Sequence, residues 1–124
     1  MKKAINSQKA PGAIGPYSQA IEKAGMLFVS GQLPIDAETG VMAQGAKEQT
    51  RQSLKNVEHI LEEAGLTMND VVKTTVFLAD MSLFAEMNEI YSTYFKAPFP
   101  ARSAVAVKAL PKGALVEIEC IAVR

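Results

Sequence analysis

The chain has one cysteine, one histidine and no tryptophan among 124 residues, and it carries no excess of either charge. Each shortage excludes something. A lone Cys120 cannot form an intramolecular disulfide, which favours a reducing, cytoplasmic setting. With His59 as the single imidazole there is no nitrogen–sulfur cluster of the kind that holds zinc. Thirteen basic residues balance thirteen acidic ones with no basic block, so a nucleic-acid partner is not expected, because phosphate contacts need clustered positive charge. No apolar run approaches the roughly 18 residues of a membrane span, and the N-terminal "MKKAINSQKAPG" has no apolar stretch behind its lysines, so neither a membrane nor a signal peptide is expected. Glycine-rich phosphate loops of the GxGxxG or Walker type are missing as well. No cofactor signature remains, and any chemistry must come from Arg, Glu, Tyr, Ser, Asn and backbone groups.

What is present reads as a single domain over residues 1–124, 48% hydrophobic and 21% charged, long enough to build a core. "SQAIEKAGMLFVSGQL" predicts two strands about a turn at Ala24-Gly25. From Ala46 to Ala64 the residues Leu54, Val57, Leu61 and Ala64 recur at helical spacing, and Gly65 stands where a helix stops. "VVKTTVFLA" (71–79) is β-branched and predicts a central strand. A second helix follows, with Phe84, Met87, Tyr91 and Phe95 as its buried stripe and Asp80 or Ser82 as N-cap, closed by Pro98 and Pro100. Two further strands are expected at about 102–108 and 115–123. The order ββ–α–β–α–ββ defines an α+β fold with two helices on one face of a mixed sheet. In the last strand Val116, Ile118, Cys120 and Ala122 alternate with Leu115, Glu117, Glu119, Ile121 and Val123, and both sets are largely apolar. Two helices cover one face only, so a homo-oligomer is expected, with Glu117 or Glu119 near its boundary.

Arg102 stands in "PFPARSAVAV" at the start of an apolar strand. An edge arginine can simply reach water, but small neighbours at Ala101, Ser103 and Ala104 leave room for an anion in front of a planar fork. Glu117 and Glu119 share a strand face, as a polar edge, as a carboxylate pair, or with one of them orienting a water. "GPYSQA" sets Tyr17 and Ser18 in a rigid turn. In "FVSGQLP", Gly31 after Ser30 marks either a bulge or a close backbone approach. Asn88 lies inside the second helix, either exposed or facing a site. His59 reads as a surface imidazole, and Cys120 as a small buried hydrophobe.

The segments "AIGPYSQA", "LFVSGQLPID", "ILEEAG", "VVKTTVFLADM", "FAEMNEIYSTYF", "PARSAVAV" and "VEIECIAV" together resemble the RidA/YjgF family, specifically its reactive-intermediate deaminases, over nearly the whole chain. The most specific part is Ala-Arg-Ser at 101–103, then Leu110-Pro111, then Val116-Glu117-Ile118. The resemblance implies a chorismate-mutase-like fold, a homotrimer with clefts between subunits, and cofactor-free hydrolysis of 2-imino acids, or their 2-enamine tautomers, to 2-oxo acids and ammonia. It implies that Arg102 binds the substrate carboxylate, that Glu117 positions or activates water, and that Tyr17, Ser30, Gly31 and Asn88 line the pocket. Many deaminase members carry Cys where this chain has Ala104, so no thiol contributes there. A carboxylate-binding regulatory module without catalysis, and RNA cleavage or translation inhibition, are the alternative readings.

Overall fold

The computed structural model describes residues 1–124. Strand-forming segments give β1 (Lys3–Ile5), β2 (Ala20–Lys23), β3 (Met26–Gln32), β4 (Val71–Leu78), β5 (Ala101–Ala106) and β6 (Val116–Val123); the helices are α1 (Ala46–Glu63) and α2 (Phe84–Tyr94). The strands form one sheet in the order β1-β2-β3-β6-β4-β5. All pairs are antiparallel except β4 and β5, which run parallel because the chain crosses back through α2. The two-residue turn predicted at Ala24-Gly25 joins β2 to β3, with Lys23 opposite Met26.

Period-two alternation settles which side chains meet the helices. On β6, Val116, Ile118, Cys120 and Ala122 are buried, in line with Thr74, Val76 and Leu78 of β4. Leu54, Val57, Ile60 and Leu61 of α1 and Met87, Tyr91 and Phe95 of α2 close over this face to complete the core. The intervening residues of β6 face the other way, with Phe77 beside Glu117 and Phe28 beside Ile121. On that second face Phe28 and Val105 are exposed at 43% and 45%, so the helices cover one side of the sheet and leave an apolar side open.

Gly65 ends α1 as its sequence position predicts. Its φ of 75° lets its amide donate to the Glu62 carbonyl, while the Leu66 amide reaches back to Leu61. Arg124 then donates to the Ala64 carbonyl and grips Glu22 through Nε and Nη2, both at 3.0 Å, tying the chain end to the helix terminus and to β2.

Three details differ from the sequence reading. β1 was not anticipated, because a three-residue strand with one buried side chain, Ile5, has too little alternation to register. Asp80 caps the 3-10 turn Met81–Leu83 by accepting from the Ser82 amide at 2.8 Å; α2 begins after Leu83 without a side-chain cap. Phe84 leaves the buried stripe, being only half-buried, and Ile90 joins it.

The irregular segments are held by buried amides. Asn56, fully buried in α1, donates from Nδ2 to the carbonyls of Leu33 and Ile35 at 3.0 and 2.9 Å. Asn56→Ala leaves the Ile35 carbonyl without a partner and the Leu33 carbonyl with only the Ile35 amide, at 2.9 Å, and equilibrium denaturation should register a loss of about 2 kcal/mol. A loss under about 0.5 kcal/mol, the scale of an ordinary surface substitution, would contradict this account.

Candidate active site

Arg102 lies on β5, the edge strand, opposite Thr74 on the side of the sheet that faces the helices. There α2 presents Phe84, Asn88 and Tyr91, spaced by four and three residues and so on one flank of the helix. The guanidinium sits over the Tyr91 ring at 4.7 Å and the Phe84 ring at 5.3 Å, and its Nη1 donates to Asn88 Oδ1 at 2.7 Å. All of its contacts are with neutral groups: the ion pairs of the molecule are Lys47–Glu89, Arg51–Glu48, His59–Glu62 and Arg124–Glu22. Beside it is a cavity of about 390 Å³, lined by Asn88, Tyr91, Ser92, Phe99, Pro100 and Arg102. The small neighbours do not open this space as the sequence reading supposed. Ala101 and Ser103 alternate onto the opposite face, where Ser103 Oγ accepts from Lys73 Nζ at 2.9 Å; only Ala104 shares the arginine's side, packed on the core beside Val76.

Glu117 belongs to a different surface. It lies between the buried Val116 and Ile118 and therefore faces away from the helices. The ladder between β3 and β6 is irregular between Val29 and Gln32, which confirms the bulge at Ser30-Gly31. The Ser30 amide donates to Gln19 O at 2.9 Å and Ser30 Oγ donates to Ser18 O at 2.6 Å, so this bulge is fastened to the "GPYSQA" turn. Gly31 is required for closeness: a β-carbon there would come within 2.6 Å of Glu117 Oε2. The carboxylate thus lies directly on the Gly31 backbone. Burial, and secondarily the like charge of Glu119, push the Glu117 carboxyl above its ordinary value.

A second cavity of about 590 Å³ extends from Gly31 past Tyr17 to Asp36 and Lys112. Its walls are mostly loops; the buried amide of Gln19 pins one of them, and that of Gln49 ties neighbouring segments of the chain. Gln19 Nε2 donates to the carbonyls of Ser7 and Pro11 at 3.0 and 2.9 Å, while its Oε1 accepts from the Ser7 amide at 2.7 Å. Gln49 donates to Ala43 O and accepts from the Leu115 amide, at 3.0 and 2.7 Å.

The chain thus gathers the six sequence-predicted residues into two groups, Arg102 with Asn88 and Glu117 with Gly31, Ser30 and Tyr17, on opposite faces of the sheet. The sequence reading missed Phe84 and Tyr91 as the arginine's support, although their helical spacing about Asn88 was the available signal. It also missed Asp36 and Lys112. Cys120 is buried with its thiol pushed up to about 12, as befits a packed hydrophobe. His59 has an acidic neighbour that the sequence reading did not identify, Glu62 Oε1 at 3.1 Å from Nδ1.

A six-stranded mixed sheet backed on one face by two helices, with a bulged strand over a half-buried glutamate, is a chorismate-mutase-like fold of the YjgF type. Solved structures agree: Escherichia coli TdcF with bound serine superimposes with a TM-score of 0.95 at 46% identity, covering 98% of both chains, and the YjgF gene product of Escherichia coli does so with 0.95 at 48%, again over 98% of both. The family model described as Endoribonuclease L-PSP matches residues 7–124, and the chain belongs to this family, that of the RidA and YjgF proteins. A relative named 2-iminobutanoate/2-iminopropanoate deaminase, from Salmonella typhimurium, is 50% identical over 127 residues, 100% of this chain and 99% of its own.

Proposed function

We propose that the protein is a cofactor-free 2-iminobutanoate/2-iminopropanoate deaminase, working in the cytoplasm on imines released by pyridoxal-phosphate-dependent dehydratases as 2-aminoacrylate and 2-aminocrotonate. The observation that carries this reading is the pairing of functions between the two groups: a cation held only by neutral partners, and a carboxyl raised by burial against a bare backbone. The first suits a substrate carboxylate, the second a water that must lose a proton. Their separation on opposite faces of one protomer is satisfied by a homotrimer whose clefts set Arg102 and Asn88 of one subunit against Glu117, Gly31, Ser30 and Tyr17 of the next. Such an assembly also covers the open apolar face.

The chemistry needs little more. A protonated imine is already electrophilic, so orientation and a placed water supply most of the catalysis. Arg102 binds the carboxylate through charge-assisted hydrogen bonds. The Gly31 carbonyl accepts from the iminium N–H and fixes which face meets the water. Glu117 takes a proton as the water oxygen bonds to the imine carbon, giving a carbinolamine. That proton moves on to the nitrogen. As the C–N bond breaks, the carbinolamine hydroxyl gives its own proton to Glu117 and becomes the carbonyl of the 2-oxo acid. The departing ammonia takes this proton from Glu117 and leaves as ammonium. Ala104 offers no thiol to this sequence. The balanced charge, with thirteen residues of each sign, supplies no basic surface for RNA.

The test is to couple a threonine dehydratase to the purified protein and follow the decay of the transient imine. Accelerated decay with stoichiometric ammonia supports the assignment; binding of 2-oxobutanoate without acceleration would show a carboxylate-binding module instead.

The raised carboxyl gives a pH expectation with a definite sign. Glu117 accepts a proton only when ionised, so kcat/KM climbs with pH along a limb centred above the ordinary glutamate range. Glu119→Gln removes the like charge, the lesser of the two causes, and should shift that limb slightly to lower pH. A limb that stays in place or moves upward in this variant would contradict the coupling.

A further inference from the structure

We infer that Tyr91, anchored by Thr74, is a positioning residue for Arg102, setting the plane in which the guanidinium meets a carboxylate. The inference rests on the reading of Arg102 as the carboxylate grip and adds how that grip is aimed. An arginine side chain has several free torsions, and ordering them opposes binding unless the fold has already done so. Here the guanidinium carbon lies 4.7 Å from the centre of the Tyr91 ring, nearer than the 5.3 Å to Phe84. Nη1 is held at 2.7 Å by Asn88 Oδ1. A flat group with one face on a ring and one corner on an amide keeps few orientations, and its other N–H groups remain for an anion.

Tyr91 cannot itself turn. It is buried in the core and packs on Phe95 with ring centres 4.7 Å apart. Its hydroxyl lies 2.7 Å from Thr74 Oγ1, a fully buried atom set on the central part of β4. Thr74 is also the residue directly opposite Arg102 in the β4–β5 ladder. Arginine, ring and threonine therefore close a triangle, with one side made by the sheet itself. The hydroxyl of Thr74 fixes the tilt of the ring, and the ring fixes the fork. Phe at position 91 would keep the stack but lose the anchor, and Val at 74 would do the same from the other end.

The experiment is a double-mutant cycle read as the Kd for 2-oxobutanoate, which carries the same carboxylate as the imine, by NMR titration of the full-length protein. Tyr91→Met should weaken binding about tenfold, on the order of 1.4 kcal/mol, and Thr74→Val about threefold. In the Arg102→Ala background neither substitution should weaken binding further, because each acts through the guanidinium. With substrate, KM should rise more than kcat falls. Wild-type affinity in both single variants, or the same tenfold loss from Tyr91→Met with Arg102 already removed, would overturn the inference. Should Tyr91→Met fail to fold, the cycle of Thr74→Val with Arg102→Ala decides alone. Wild-type affinity in Arg102→Ala itself is a separate result, and it would instead overturn the reading of Arg102 as the carboxylate grip.

Discussion

Arg102→Ala should lower kcat/KM for a 2-imino acid about 100-fold, on the order of 3 kcal/mol, while the protein stays folded. The size follows from the surroundings of the guanidinium. No carboxylate of its own chain pairs with it, so its charge is available to the substrate, and a charge-assisted bidentate contact is among the stronger single interactions available. Stability should change little by comparison, since the arginine is half-buried on an edge strand and forms no ion pair. Arg102→Lys should recover only part of the loss, because an ammonium has neither the fork nor the flat face that Tyr91 supports. The measurement is imine decay in the dehydratase-coupled assay, alongside thermal unfolding. Near-wild-type turnover by folded Arg102→Ala would defeat the assignment.

Gly31→Ala should be nearly as damaging to activity, for a reason that involves no lost functional group. The added β-carbon meets the end of the Glu117 side chain, with Oε2 at 2.6 Å and Cδ at 2.9 Å, and the carboxylate must swing away. A flexible side chain can move without unfolding anything, so stability should hold within about 1 kcal/mol. The group proposed to activate water is then misplaced, and a 100-fold fall in kcat is expected, about the lower end of what general acid–base catalysis supplies. Glu117→Gln is the comparator: it keeps the shape and removes the proton acceptor, so it should lose at least as much and also abolish the acid limb of the pH profile. Normal kcat in Gly31→Ala would mean that the position of Glu117 does not matter.

Much of this architecture was legible in the residues, and the exceptions have physical causes. Strong periodicity marked α1, and the two apolar sets of β6 showed in advance that the helices could not cover both faces. The glycine of "FVSGQLP" suggested a bulge or a close approach, and Gly31 provides both. The environment of Arg102 was read less well. Its neighbours in sequence were credited with making room, whereas strand alternation sends Ala101 and Ser103 to the far face and leaves the cavity to residues from α2. A parallel crossover brings α2 to β5, and such a contact between distant segments leaves no trace in local spacing. The buried amides Gln19, Gln49 and Asn56 were invisible for the same reason, since each bonds to backbone six or more residues away. Glutamine and asparagine within an amphipathic pattern read as solvent-facing until the loops they hold are known.

The neutral cradle of Arg102 also bears on how the reaction ends. Substrate and product share a carboxylate, and neither Asn88 nor the two rings can tell one from the other. A 2-oxo acid should therefore compete with the imine at this subsite with comparable strength, so product inhibition is built into the grip. In the proposed cleft, discrimination comes from the opposite half, where the Gly31 carbonyl would accept from an iminium N–H but has nothing to accept from a ketone. Loss of that one hydrogen bond is what distinguishes a spent molecule from a fresh one.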